Sequence, residues 1–93
     1  MIEKQFIEYV EKYYQAMPPE KWLQNWFAAR GATVARDQNY FDSNAIDSFG
    51  VIEMIEEIED HFKLKFRQHD FQDRRFATVA GLAEIINERL QQV

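Results

Sequence analysis

Residues 47–62 read DSFGVIEMIEEIEDHF, and this run governs how the rest of the chain is understood. Val51, Ile55, Ile58 and Phe62 fall at i, i+4, i+7 and i+11, the spacing of a core-facing stripe along an α-helix. Between them stand Glu53, Glu56, Glu57, Glu59 and Asp60, with no Lys or Arg. Repulsion at i,i+3 and i,i+4 among Glu53, Glu56, Glu57 and Asp60 costs helix stability, which suggests a use for the charge. Asp47 and Ser48 stand where a loop becomes this helix, so the Ser48 hydroxyl is near the unpaired N–H groups and the positive dipole end. Such a seat suits a phosphate. No His base stands near in sequence and there is no G-x-S-x-G motif, so Ser48 reads as a substrate rather than a hydrolytic nucleophile. Taken alone, an Asp-Ser pair before a helix more commonly serves only as its cap.

On the N-terminal side, Ala32 to Asp47 is rich in turn formers (Asp37, Asn39, Asp42, Ser43, Asn44) and lacks a helical period. We expect an ordered loop there, pinned by Tyr40, Phe41 and Ile46. Before it, PPEKWLQNWFAARG (residues 18–31) predicts a short helix with Trp22 over Trp26, Leu23 over Phe27, prolines at its start and Gly31 as a stop. That Trp-rich stripe reads as core, the alternative being a niche for a ligand or a docking site. Over residues 1–17, Ile2, Phe6, Val10, Tyr13 and Met17 predict a first amphipathic helix.

On the C-terminal side, Lys63-Leu64-Lys65-Phe66 alternates polar and apolar and should run extended, too short for a sheet. One helical turn is expected around Asp70 to Arg74. Thr78 can cap a last helix over residues 78–91, with Val79, Leu82, Ile85, Ile86 and Leu90 on its apolar face. Arg74 and Arg75 are expected to pair with local acids or face solvent. His61 and His69 lack metal-ligand spacing, and no metal site is expected.

At 93 residues with 46% hydrophobic content, the chain is read as a single domain, residues 1–93, with a packed core. It has no cysteine, so any thiol chemistry must come from a cofactor. A net charge of −5 disfavours nucleic acid and membrane phosphates and favours partners with basic patches. The charged N-terminal stretch lacks a signal-peptide apolar core, and no run is long enough to span a bilayer, so a cytoplasmic monomer is expected.

From Tyr40 to Leu90 the sequence resembles the phosphopantetheine-binding carrier family of acyl, peptidyl and D-alanyl carrier proteins. The residues that carry the resemblance are Phe41 in the loop, the triplet Asp47-Ser48-Phe49, Glu53 early in the helix, and Glu59-Asp60-His61-Phe62 at its close. Phe66, Asp70-Phe71 and the Thr78-Val79 opening of the last helix follow in the family's order. The resemblance implies an all-α, acyl-carrier-like four-helix bundle: three main helices and a short one, here with the extra Trp-rich helix inserted before the attachment loop. It implies that Ser48 bears 4′-phosphopantetheine derived from coenzyme A. Asp47 is then the neighbouring acid that a phosphopantetheinyl transferase recognises and that can help hold its Mg²⁺. It further implies a docking face of Glu53, Glu56, Glu57 and Asp60 for basic patches on a loading enzyme and on a downstream acyltransferase or synthase. Phe49 and Met54 would flank the arm as apolar contacts, although their spacing fits the core equally well. The domain itself would catalyse nothing.

An acyl thioester of a specialised lipid, envelope or secondary-metabolite pathway is the first expectation for the cargo. Asp47-Ser48-Phe49-Gly50 and Asp70-Phe71-Gln72-Asp73 also look like D-alanyl carriers, so aminoacyl or peptidyl carriage is the alternative. A reading of another class is a helical interaction module in which Ser48 is no more than a helix cap.

Overall fold

The structure is a computed structural model that describes residues 17–91. The helix expected over residues 1–17 lies, but for Met17, outside the described residues. Among the described residues the fold is all-α. Helix α1 is Pro19–Ala29, α2 is Ser48–Phe62 and α3 is Val79–Leu90, with two 3₁₀ turns at Gln68–Gln72 and Arg74–Ala77 between the last two.

Helix α1 starts on Pro18 and Pro19, whose fixed φ suits a first turn and whose missing N–H no helix would have paired there. Leu23, Trp26 and Phe27, spaced i, i+3 and i+4, turn inward and are buried. The helix ends at Gly31, which takes a φ of 82°. The Ala32 N–H donates to the Phe27 carbonyl and the Gly31 N–H to the Ala28 carbonyl, each at 3.0 Å, a Schellman closure that a left-handed residue makes possible.

The loop that follows is tied down at several points. Tyr40 is fully buried, its ring tilted against Phe27 at 5.2 Å, and its hydroxyl donates to the Phe76 carbonyl. Burial pushes the Tyr40 phenol well above its ordinary pKa, so it stays a neutral donor. The Tyr40 N–H donates to the Ala77 carbonyl at 3.1 Å and the Ala80 N–H to the Arg36 carbonyl at 2.9 Å, stitching the loop to the start of α3. Asn39 accepts from the N–H groups of Phe41 and Asp42, which forms the turn. Of the three expected pins, Tyr40 is in the core and Ile46 packs at its edge. Phe41 stays 40% exposed beside the Tyr40 ring, because the turn at Asn39 directs it outward.

The α2 stripe centres on Met54 and Ile58, both fully buried, with Ile55 and Phe62 half-buried at its margins. The helix closes on Lys63 in the left-handed region (φ 56°), and the Leu64 N–H reaches back to the Glu59 carbonyl. Leu64 is buried and Phe66 half-buried. The Phe66 N–H donates to Glu59 at 2.9 Å, which makes that carboxylate a structural group. Phe66, Phe71 and Phe76 meet edge-on with centroids 5.5–5.8 Å apart, closing the side under the 3₁₀ turns.

Helix α3 is the central element. Thr78 caps it by accepting from the Gly81 N–H at 3.0 Å, and Val79, Leu82, Ile85 and Ile86 are all fully buried against α1 and the second 3₁₀ turn. Its C-terminal end carries Arg89, which donates to both carboxylate oxygens of Asp70 at 2.9 and 3.0 Å. Asp70 is 2% exposed. Burial alone would push its carboxyl up. The hydrogen bonds from Arg89 and from the Arg67 N–H, with the Arg89 charge, outweigh that and hold it below its ordinary value. The neighbouring Arg75 pairs with Asp73, Glu84 and Glu88, while Arg74 faces solvent.

Candidate functional site

The Asp47 side chain accepts from the Gly50 N–H at 2.7 Å and is the α2 cap. Ser48 is therefore the first helical residue, and its exposed hydroxyl has no hydrogen bond among the described residues. The N–H groups of Ser48 and Phe49 likewise have no partner among the described residues. A phosphate esterified to Ser48 would find those donors and the positive end of a 15-residue helix beside it. The chain thus fits a phosphorylated prosthetic group at this place, with Ser48 as its anchor and Asp47 next to it. The division of labour also bears on the interaction-module reading, since the cap it assigns to Ser48 is made by Asp47.

Local packing explains why the loop delivers the serine here. Gly50 lets Ile46 fold back over the first turn of α2: a Cβ at position 50 would stand 2.8 Å from Ile46 Cγ1 and 3.2 Å from Asp47 Oδ1. Ile46 is thereby drawn inward and Ser48 left outside. Phe49, the next residue, is 78% exposed, and Ile52 on the following turn is 56% exposed.

Met54 does not belong to the exposed surface. It is fully buried in the core, which corrects its assignment as a partner contact: three residues beyond Val51 and four before Ile58, it lies on the inward face. The acidic face, which holds no cation of its own, is partly paired by residues outside the helix. Arg30, from the end of α1, places Nη2 2.9 Å from Glu57 and 3.6 Å from Glu53. The Trp26 indole N–H donates to the same Glu57 carboxylate, and the Arg30 guanidinium lies 3.6 Å above the Trp26 ring. Asp60 is 3.7 Å from Lys63. Glu56 is exposed and has no ion-pair partner among the described residues. Arg30 was missed because its partners stand 23 and 27 residues away, and only the packing of α1 on the bundle brings them together. Trp22 stacks on His61 with centroids 5.3 Å apart and meets Phe62 edge-on, so the inserted helix is fixed to α2 at both ends.

A cleft of about 510 Å³ opens beside Ser48, lined by Trp26 and Arg30 from α1, Asn44 to Asp47 from the loop, and Phe49, Gly50 and Glu53 from α2. Among the described residues no group of acidic and histidine side chains could hold a metal ion, and no helix is long and apolar enough to cross a membrane.

Among the described residues the fold is all-α, and an exposed serine stands at the start of a helix capped by its neighbour. Residues 28–86 match the phosphopantetheine attachment site family, and the chain belongs to that family of non-catalytic carriers bearing covalent 4′-phosphopantetheine. No curated protein and no solved structure matches the chain significantly. The family match begins within α1, so Trp22 and Trp26 precede it.

Proposed function

We propose that Ser48 is the attachment residue and that the protein, a cytoplasmic monomer, carries an acyl intermediate between enzymes of a specialised lipid, envelope or secondary-metabolite pathway. The prosthetic group supplies the thiol that this cysteine-free chain lacks, and with it a thioester linkage for the cargo. The observation that carries the assignment is the separation of roles at the start of α2, where Asp47 takes the cap and leaves the Ser48 hydroxyl exposed and without a hydrogen bond among the described residues. Asp47 stays exposed beside that hydroxyl, and its carboxylate is offered to a phosphopantetheinyl transferase and the Mg²⁺ the transferase brings. Phe49 and Ile52 offer apolar contact, and Glu53, Glu56, Glu57 and Asp60 the charge that draws basic surfaces of a loading enzyme and an acceptor enzyme. Of these carboxylates Glu56 is the most available, because Glu53 and Glu57 already face Arg30.

Intact mass before and after incubation with coenzyme A, Mg²⁺ and a broad-specificity phosphopantetheinyl transferase tests the assignment. One added arm is expected on the wild type and none on Ser48→Ala; modification of the alanine variant would place the anchor elsewhere. Loading assays with acyl-activating and aminoacyl-activating enzymes then separate acyl from aminoacyl carriage.

A further inference from the structure

The cleft beside Ser48 has a feature that attachment alone does not require, namely a wall contributed by α1. Trp26 is 6% exposed and is held by its indole bond to Glu57, while Arg30, paired to Glu53 and Glu57, sits over the ring with Cζ 3.6 Å from its centroid. The Arg30 Nε–H has no partner among the described residues. Opposite this wall stand the half-buried Ile46 and the strongly exposed Phe49. The volume of about 510 Å³ falls within the ~300–1,000 Å³ of small-molecule sites. Its lining combines apolar groups (Trp26, Ala45, Ile46, Phe49) with polar ones (Arg30, Asn44, Asp47, Glu53).

Resting on the assignment of Ser48, we propose that this cleft is the seat of the pantetheine part of the arm, with Trp26 and Arg30 as binding residues outside the attachment motif. Pantetheine combines the same two kinds of group: a gem-dimethyl group and methylenes separated by a hydroxyl and two amides. Its methyl groups would meet the Phe49 ring and the part of Trp26 that lines the cleft, its amide carbonyls would accept from Arg30, and its amide N–H groups would donate to Asn44 or Glu53. Both sequence neighbours of Ser48 line the cleft, which puts it within reach of an arm anchored there. Tethering supplies an effective concentration on the order of millimolar, so even a weak intrinsic affinity populates the seat. The same ion pairs that shape the wall use two carboxylates of the docking face. A partner's cations that compete for Glu53 and Glu57 would free Arg30 and loosen the seat as the partner binds.

The test is NMR of the phosphopantetheinylated protein with its mass confirmed. The gem-dimethyl protons should shift from their positions in free coenzyme A and show Overhauser contacts to the Trp26 indole. The shift should shrink at least twofold in Arg30→Gln and in Trp26→Phe, while Trp22→Phe leaves it in place. Methyl resonances at the free coenzyme A positions on a protein that carries the arm at Ser48 would overturn this inference alone. A protein that accepts no arm would overturn it together with the functional assignment.

Discussion

Replacing Ser48 by alanine should abolish attachment and leave the stability of the fold almost untouched, whereas Asp47→Ala should do the reverse damage to the helix. The structure sets the magnitudes. Ser48 is exposed and its hydroxyl has no hydrogen bond among the described residues, so its removal deletes none there, and alanine has the higher helix propensity at a helical position, by up to ~0.5 kcal/mol. The Asp47 carboxylate accepts from the Gly50 N–H at 2.7 Å, and loss of such a cap costs ~1 kcal/mol, within a range of about 0.5–2. For a domain of this size ~1 kcal/mol lowers the melting temperature by about 4–8 °C and, with a urea slope near 1 kcal/mol/M, moves the midpoint by about 1 M. Asp47→Asn completes the set. Asparagine caps as well as aspartate, so stability should hold while the carboxylate offered to the transferase is gone. Urea unfolding of the three variants, paired with intact mass after transferase treatment, reads both axes. The reasoning is refuted if Ser48→Ala loses 1 kcal/mol or more, or if Asp47→Ala unfolds at the wild-type midpoint.

Four further outcomes follow from the fold. Asp70→Ala leaves Arg89 largely buried without that carboxylate and should cost on the order of 3 kcal/mol in denaturant unfolding. The carboxyls of Asp70, Asp73 and Glu88 are all held below their ordinary values in the folded state, the last two chiefly by hydrogen bonds from Arg75. Their stabilisation is complete above the unfolded carboxylate range near pH 4 and is lost as pH falls through the lower folded values. Stability measured from neutral to about pH 2 should therefore drop below about pH 4, with a shallower drop in Asp70→Ala. At Gly81 an added Cβ would run into the Arg75 backbone, so Gly81→Ala should destabilise by ~1–3 kcal/mol despite its helical position, and a wild-type melting temperature would contradict the close approach. Lys63 holds a left-handed backbone that glycine adopts freely, so Lys63→Gly should stabilise by roughly 1 kcal/mol in urea.

How much of this was legible in the sequence follows from the range of the interactions. The stripe of Val79, Leu82, Ile85 and Ile86 is a local pattern, and each of these residues is in the core. The same holds for Leu23 and Phe27, and for the extended link through Leu64. Met54 shows the limit of local reading, because a position between two inward residues fits either the core or the rim until the neighbouring helices are placed. The Ser48 seat was readable from the loop-to-helix change, yet the choice of Asp47 over Ser48 as cap depends on side-chain rotamers. Arg30 and Arg89 were not readable at all. Each finds its acid 19 to 27 residues away, and nothing in the spacing of a lone arginine announces a partner at that distance.

The bonds from Tyr40 to the Phe76 and Ala77 carbonyls carry a consequence for biosynthesis. The chain leaves the ribosome N-terminus first, so the loop that orients Ser48 waits for acceptors made more than thirty residues later. A nascent chain stalled before Phe76 would hold its serine on an untethered loop, and modification should lag until the last helix has emerged. A ladder of C-terminal truncations assayed for arm attachment would show this as a step across the last helix, Val79–Leu90, rather than at residue 48.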